Sequence, residues 1–398
     1  MGPEVWDNLL RGVLNLQWQS LVMLLAGLLL IWLAIVKEYE PLLLLPIGAG
    51  CILANMPVSA MLGDHGMLTT FYNIGVANEL FPLLIFIGIG AMTDFGPLLE
   101  NPKMVLLGAA GQFGIFLTLI LAIFLGFTRP EAASIGIIGA IDGPTSIYVS
   151  AKLAPNLLGP ITVAAYSYMS LVPIIMPPVM KLLTTKKERT IRMPYSQREI
   201  SKRTRIIFPL VTTIAVGILV PFALPLIGSL MLGNLMRESA VVERLTGASQ
   251  NELNNVVTLF LGLAIGSTMV GEQFLKVQTL MVLILGLVAF ILDTATGVCF
   301  GKLLNVFSRG KFNPLIGAAG ISAFPMAARV VQQQVTKEDD GNFVLMHAMG
   351  PMPPGRWPLP WPAAWSSPSW APSDPISDHE IYQVFIKVLS RSIHTPLM

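Results

Sequence analysis

One ionisable side chain stands inside a long apolar run, next to residues that interrupt a helix. The segment GAIDGPTS at 139–146 lies within a stretch, 132–151, whose other residues are all uncharged and mostly apolar or small. A carboxylate near the centre of a bilayer costs from about 3 to more than about 10 kcal/mol, so Asp142 is expected to line a cavity and to have a partner. Gly143 and Pro144 predict a helix that stops, leaves unwound backbone around Asp142 and restarts at Pro144.

The polar groups of this segment suit a small, hard cation. Thr145 and Ser146 place hydroxyl oxygens within one turn of the Asp142 carboxylate. Unwound backbone at membrane depth supplies carbonyl oxygens, and transporters use such breaks as ion sites. An all-oxygen set of this kind favours sodium over a soft metal. The alternative is an aspartate that merely caps the break.

Composition places the whole chain in a membrane. The 398 residues are 54% hydrophobic and 12% charged, whereas soluble domains carry about 25% charged residues. We therefore predict an all-α polytopic membrane protein. Residues 186–205 hold eight Lys or Arg against two Glu, which predicts a cytoplasmic loop by the positive-inside rule. A nucleic-acid role for this loop is disfavoured, because it lacks interleaved aromatic residues and joins two spans.

The pattern Ile-Gly-x-x-Gly-x-x-x-x-Pro occurs at 135–144 and again at 316–325, an offset of 181 residues. Paired Gly/Pro-broken segments in two halves of a chain indicate a transporter site between repeats. We therefore predict inverted repeats whose broken helices meet at the bilayer midplane. The predicted division of the chain is: an N-terminal amphipathic segment and scaffold spans, 1–80; a first repeat broken at Asp142, 81–182; a basic cytoplasmic loop, 183–206; connecting spans, 207–250; a second repeat broken at Pro325, 251–350; and a Pro/Trp-rich tail, 351–398.

The two copies differ where chemistry is expected. Ala323 aligns with Asp142, and Asn313 and Ser322 supply the polar groups of the second copy, although both are also ordinary turn or cap residues. Arg329, one helical turn beyond the second proline, is positioned either to pair with Asp142 or to receive an anionic substrate group. A purely structural ion pair is the alternative for this arginine.

Three further polar residues lie within predicted spans. Asp293 is interpreted either as paired across the bundle or as part of the ion path, and the sequence does not choose between these. Tyr166 and Tyr168 are more typical of packed rings with one hydrogen bond than of a proton relay.

Four stretches together resemble a known family: 86–98 (FIGIGAMTDFGPL), 139–148 (GAIDGPTSIY), 165–171 (AYSYMSL) and 313–332 (NPLIGAAGISAFPMAARVVQ). They are similar to the membrane-embedded beta subunit of the sodium-pumping, biotin-dependent decarboxylases, which include the oxaloacetate, methylmalonyl-CoA, glutaconyl-CoA and malonate enzymes. In that family a soluble alpha subunit transfers a carboxyl group to biotin on a carrier. The beta subunit then decarboxylates carboxybiotin and exports sodium across the bacterial inner membrane.

The resemblance implies roles for particular residues. The family's functional residues fall on Asp142, Tyr168, Asn313, Gly317, Ser322 and Arg329. It implies that Asp142, Asn313 and Ser322 bind sodium and that Tyr168 takes part in a proton relay. Arg329 would hold the anionic carboxyl group or set the charge state of Asp142.

The resemblance also implies partners: an alpha (carboxyltransferase) subunit, a biotin carrier, a small gamma or delta membrane subunit, and further copies of this chain. Because no Ala-Met-Lys-Met attachment sequence occurs here, biotin must arrive on a partner. The alternative function is an ion/proton antiporter or carboxylate symporter without bond chemistry. The upstream acid is left open, since that choice belongs to the alpha subunit.

The family pattern ends at Gly350-Pro351. Where the family continues with an asparagine and a final helix, this chain has Met352 and a tail rich in proline and tryptophan. We therefore expect one asparagine ligand and one span to be absent, with a cost to stability and transport. A non-functional product is a third alternative.

Overall fold

The computed structural model describes residues 15–349 except 39, 58–59, 64, 101–106, 109–111, 194–199 and 322–323. The predicted N-terminal amphipathic residues 1–14 and the tail after residue 350 lie outside the described residues. Within the described part every regular element is helical, which confirms the predicted all-α class. The α-helices are α1 Trp18–Val36, α2 Pro41–Asn55, α3 Met67–Phe71, α4 Leu80–Met92, α5 Gly96–Glu100, α6 Phe113–Phe124, α7 Arg129–Gly136, α8 Gly143–Leu153, α9 Leu158–Leu183, α10 Lys186–Arg189, α11 Lys202–Leu219, α12 Leu224–Ser239, α13 Glu243–Ala248, α14 Asn254–Gly266, α15 Gly271–Phe274, α16 Val277–Phe307, α17 Phe324–Thr336 and α18 Leu345–Met349.

Shorter helical turns join several of these helices. The 3₁₀ turns are Ile137–Ala140, Pro155–Leu157, Pro221–Ala223 and Pro314–Ala319, and the π-helical turns are Tyr72–Ala77 and Ser249–Leu253. Two of them, Ile137–Ala140 and Pro314–Ala319, overlap the two copies of the repeated sequence pattern.

Several helices have the length and composition of membrane spans. Among the described residues, α1 and α16 are each long and apolar enough to cross a bilayer alone. Two bent pairs pass the same test, namely Met67–Ala77 with Leu80–Met92, bent by 59°, and Pro155–Met169 with Leu171–Leu183, bent by 65°. Pro173 lies just after the second bend, where its ring removes a hydrogen bond to the preceding turn. The chain is therefore a multi-pass membrane protein.

Polar contacts show on which side of the membrane several helix ends lie. We call the described residues 184–193 and 200–205 the basic loop, and the side of the membrane that carries them the basic-loop side. Arg237, near the end of α12, donates to the carbonyl of Thr93 at 2.8 Å. Arg205, at the start of α11, lies 3.7 Å from the carboxylate of Asp94. The ends of α4 and α12 and the start of α11 thus lie together on the basic-loop side.

The longest helix, α16, runs towards that same side. Lys302, near its end, pairs with Glu188 of the basic loop at 3.4 Å. A helix of 31 residues is about 46 Å long, so α16 begins on the opposite side. Its middle, around residue 292, lies at mid-membrane depth.

The first broken segment, residues 129–156, is a re-entrant hairpin, which we call the first hairpin. Its two helices, α7 and α8, pack against each other. Asn156, just after α8, donates to Glu131, in the first turn of α7, at 2.8 Å. Both ends therefore lie on one side, with Asp142 at the tip between them. Because α9 follows directly and runs to the basic-loop side, the first hairpin enters from the opposite side.

The second broken segment, residues 313–342, forms a second hairpin of inverted orientation. Asn313, at its start, and Asn342, at its end, both donate to the carbonyl of Ile191, at 3.0 and 3.2 Å. Ile191 belongs to the basic loop, so the second hairpin enters from the basic-loop side. Two broken segments entering from opposite sides are the arrangement that the inverted-repeat prediction requires.

Candidate functional site

The tip of the first hairpin is an unwound turn centred on Asp142. The 3₁₀ turn Ile137–Ala140 ends at Ile141, whose φ of 53° and ψ of 46° are left-handed, and Asp142 is extended with φ −127° and ψ 101°. A β-branched residue in the left-handed region costs about 1–3 kcal/mol, and such strain persists mainly at functional turns. The predicted break and restart of the helix are therefore confirmed.

Asp142 is both the cap of α8 and the centre of an oxygen cluster. Its Oδ1 accepts the backbone N–H of Thr145 at 3.4 Å, and its Oδ2 accepts the Thr145 hydroxyl at 2.7 Å. Ser146 donates its hydroxyl to the Asp142 carbonyl at 2.8 Å. All three residues are buried. The capping role considered as the alternative is thus real, and it leaves the carboxylate buried, with the hydroxyl group of Thr145 bonded to it.

These groups exclude a site made of several soft or acidic ligands. Among the residues that the structure describes, no three His, Cys, Asp or Glu side chains come together as a metal-binding group. One carboxylate with hydroxyl and carbonyl oxygens suits a monovalent hard cation better than zinc or a two-metal centre.

Tyr166 of α9 closes the Asp142 turn from one side. A Cβ atom at Gly143 would lie 2.5 Å from the Tyr166 hydroxyl oxygen, which no real side chain allows. The fully buried phenol ring therefore packs directly on the backbone that follows Asp142, and the carboxylate of Asp142 acts electrostatically on its hydroxyl group. The sequence argument treated Tyr166 as packing and missed this contact, although the glycine directly after Asp142 was a usable signal of close approach.

Tyr168, the tyrosine that the resemblance favours, points elsewhere. Its hydroxyl group donates to the carbonyl of Leu283 on α16, and its ring packs against Gly286. Residues two apart on a helix lie about 200° apart around its axis, so Tyr166 and Tyr168 face different elements. The structure brings Tyr166 to the Asp142 turn and Tyr168 to α16.

Asn313 fastens the second hairpin to the basic loop. Its Oδ1 accepts the backbone N–H of Leu315 at 3.1 Å. Its Nδ2 donates to the carbonyls of Arg189 and Ile191 at 3.1 and 3.0 Å. The side chain is fully buried, and every one of these bonds holds the start of the second hairpin in place.

Two predicted site residues remain, Ser322 and Arg329. Ser322 lies outside the described residues. Arg329 lies on α17 and its side chain is exposed, without a hydrogen bond or ion pair to any other residue that the structure describes. Its guanidinium group is therefore available to an incoming anion.

Both hairpins rest on α16, at different depths. Gly139 of the first hairpin packs against Ala289, because a Cβ atom there would lie 3.4 Å from the Cβ of that alanine. Gly317 of the second hairpin packs on the backbone of Gly297. Eight residues of helix separate these contacts, about 12 Å along the axis. The two halves thus approach the middle of one shared helix from opposite sides.

Comparison with known proteins identifies the family. The family model for the Na⁺-transporting oxaloacetate decarboxylase beta subunit matches residues 19–356. The chain belongs to this family. It is 55% identical over 340 residues to methylmalonyl-CoA decarboxylase subunit beta of Veillonella parvula and to glutaconyl-CoA decarboxylase subunit beta of Acidaminococcus fermentans, covering 85% of this chain and 90% of each relative. It is 49% identical to the oxaloacetate decarboxylase beta chain of Klebsiella pneumoniae, covering 85% of this chain and 92% of that one.

Family membership gives the function of the chain. The chain is a membrane beta subunit of the sodium-transporting decarboxylases, in which decarboxylation is coupled to sodium transport. The predicted family and coupled activity are confirmed, while the roles of Asp142, Tyr168, Asn313, Ser322 and Arg329 remain predictions.

Proposed function

We propose that this chain decarboxylates carboxybiotin presented by a partner subunit and exports sodium through the tip of the first hairpin, with Asp142 as the sodium-binding carboxylate. The observation that carries this proposal is a buried carboxylate, bonded to the hydroxyl group of Thr145, at an unwound and strained turn. The bacterial relatives and the basic loop support a location in the bacterial inner membrane with residues 186–205 in the cytoplasm.

Sodium would be held by oxygen atoms of the Asp142 turn. Asp142 supplies the charge, and the Thr145 hydroxyl, now 2.7 Å from Oδ2, can turn its lone pairs towards a cation. We assign Ser322 to the same site as a ligand from the second hairpin. Asn313, which the resemblance also assigns to sodium, lies at the base of the second hairpin with its Oδ1 on the Leu315 N–H, so we leave it out of this set.

Arg329 would receive the carboxyl group carried by biotin. A guanidinium group binds a carboxylate bidentately and stays charged at any working pH. Biotin, attached to a carrier subunit, supplies an N–carboxyl bond, whose cleavage gives carbon dioxide and leaves a ring nitrogen that takes up one proton. The partners implied are therefore the alpha subunit, the biotin carrier and a small gamma or delta membrane subunit.

A tyrosine would pass the proton. The resemblance assigns this step to Tyr168, whose hydroxyl group is bonded to a helix carbonyl on α16. Tyr166, which lies on the Asp142 turn, is placed to stabilise whichever cation, sodium or proton, occupies that carboxylate. In this scheme Tyr168 serves the relay and Tyr166 shapes the sodium site.

Asp142→Asn tests the sodium site directly. The amide keeps an oxygen that accepts the Thr145 N–H, so the hairpin should fold, but the charge is lost. Wild-type complex should gain thermal stability with sodium, by about 2.7 kcal/mol at one hundred times the dissociation constant. We expect Asp142→Asn to lose this gain and both sodium uptake and decarboxylation. Asp340→Asn, at an exposed aspartate on the basic-loop side, is the matched control. Sodium-dependent stabilisation that survives in Asp142→Asn would contradict the assignment.

Arg329→Gln tests the proposed binding of the carboxyl group by Arg329. Because Arg329 is exposed and bonds to no other described residue, stability should change by less than about 0.5 kcal/mol, and sodium-dependent stabilisation should persist. Decarboxylation of carboxybiotin should fall by about 100-fold or more, as when a charged oxyanion partner is removed. Arg309→Gln, at another exposed arginine, should leave the rate unchanged. An unaltered rate in Arg329→Gln rules out the carboxyl-binding role.

A further inference from the structure

A second intramembrane carboxyl group, Asp293, occupies the middle of α16. It is the seventeenth of 31 residues in that helix. It lies four residues after Ala289, where the first hairpin packs, and four residues before Gly297, where the second hairpin packs. Asp293 therefore stands between the two hairpins, about 6 Å along the axis from each contact.

Its surroundings leave it buried and poorly satisfied. The side chain is 1% exposed and packs against the backbone of α6, where a Cβ atom at Gly114 would lie 2.8 Å from its Oδ1. The N–H of Gly114 donates to the carboxyl group, yet Oδ1 has no hydrogen-bond partner among the described residues.

Two hydroxyl groups nearby are also unsatisfied. Thr294 follows Asp293, and Thr118 lies four residues beyond Gly114 on the same face of α6. Both are buried without exposure, and neither hydroxyl oxygen has a hydrogen-bond partner within the described part of the chain. Asp293 faces α6 at Gly114, and three buried polar atoms without a partner among the described residues, on Asp293, on the residue after it and on the same face of α6, are unusual in a packed interior.

The described elements that pack on α16 place no countercharge next to Asp293. Neither α6 nor either 3₁₀ turn that packs on α16 contains an ionisable residue. Helix α9 contains three titratable residues. Tyr166 packs on the first hairpin, Tyr168 is bonded to Leu283, and Lys181 lies near the basic-loop end of the helix.

The charged groups at the ends of the neighbouring helices are engaged or distant. Glu131, in the first turn of α7 next to Arg129, accepts hydrogen bonds from Thr128 and Asn156. Lys302, nine residues along α16 from Asp293, pairs with Glu188. An isolated buried carboxylate without a cation is neutralised by a proton.

We propose that Asp293 is a proton-binding site, separate from Asp142, that holds a proton in this conformation and releases it when sodium binds at the first hairpin. The sodium-linked part rests on the proposed role of Asp142. A sodium ion that cancels the negative charge of Asp142 removes its repulsion of a second negative charge and so eases ionisation of Asp293.

Infrared difference spectroscopy on the purified complex in detergent tests the proposal. Without sodium, the wild-type protein should show the C=O band of a protonated, buried carboxylic acid, shifted in D₂O, and this band should be missing in Asp293→Asn. Added sodium should reduce the band in wild type. In Asp142→Asn the Asp293 band should remain, but sodium should no longer reduce it.

The outcomes separate this proposal from the assignment of Asp142. If wild type gains thermal stability with sodium while the Asp293 band stays constant, the sodium-linked release is wrong and Asp142 keeps its role. If no band is lost in Asp293→Asn, Asp293 is ionised and the proton site is excluded. Should Asp293→Asn fail to assemble, Asp293→Glu replaces it, and a band frequency that does not move in that variant overturns the proposal.

Discussion

The two hairpins share a sequence frame and an attachment to α16, but they are stabilised by different contacts. The tip of the first is held by its own turn, through Thr145 and Ser146 on Asp142. The second is fastened at its base, where Asn313 and Asn342 bond to the basic loop. The contacts at the tip of the first hairpin are therefore local to that tip, whereas the position of the second hairpin depends on the basic loop.

The repeat is kept in the Gly/Pro pattern and lost in the chemistry. Helix α8 begins at Gly143, and the aligned position of the second copy is Phe324, which belongs to α17. At the first position a glycine admits the ring of Tyr166, and at the second a phenylalanine stands in its place. The sequence pattern is thus duplicated, while the turn centred on a buried carboxylate is built once.

The largest expected effect comes from filling the space after Asp142. In Gly143→Ala the new methyl group would overlap the ring of Tyr166, and overpacking of a rigid, buried ring costs about 1–3 kcal/mol or more. We expect thermal stability in detergent to fall by that amount and sodium uptake by the reconstituted complex to fall at least about tenfold.

Two variants make this test specific. Gly247→Ala, at a helical glycine with open space around it, should be neutral or slightly stabilising. Combining Gly143→Ala with Tyr166→Ala should cost less than the sum of the two single changes, because the overlap is then absent. Additive costs would show that Tyr166 does not pack on the Asp142 turn.

An intermediate effect is expected where the second hairpin meets the basic loop. Asn313→Ala removes one acceptor and two donor bonds of a buried amide, which should cost about 1–3 kcal/mol. It should also free the segment around Arg189 and Arg192 for trypsin. Limited proteolysis of the purified complex, with and without sodium, measures this release.

Asn342→Ala is the control for that experiment, since it loses a single bond to Ile191. Its trypsin sensitivity should rise much less. If Asn313→Ala abolishes sodium-dependent stabilisation but leaves cleavage unchanged, Asn313 acts as a sodium ligand rather than as the fastening of the hairpin.

The local features of the site were predictable, because they follow from neighbours in sequence. Gly143 and Pro144 dictate the break at Asp142, and the apolar composition dictates a helical membrane fold, since only helices and closed barrels satisfy their backbone there. Which tyrosine reaches Asp142 was not predictable, because Tyr166 and Tyr168 differ only in the face of α9 that the first hairpin covers. The partners of Asn313 lie 122 and 124 residues away, and no local pattern encodes such a contact.

The smallest effect should come from the outermost tie between the second hairpin and the basic loop. Arg192 donates two bonds, of 2.8 and 2.9 Å, to Asp339, and these bonds lower the pKa of Asp339 below its usual value. A carboxyl group whose pKa is lowered by folding stabilises above the unfolded pKa of about 3.9 and loses that contribution as pH falls through the folded pKa. The contribution of the Arg192–Asp339 pair should therefore be constant between about pH 5 and pH 8 and weaken only below about pH 4. Because the pair is solvent-exposed, Asp339→Asn should alter trypsin cleavage of the basic loop far less than Asn313→Ala does. Cleavage in Asp339→Asn that rises as much as in Asn313→Ala would show that this pair, and not the buried amide of Asn313, fastens the second hairpin.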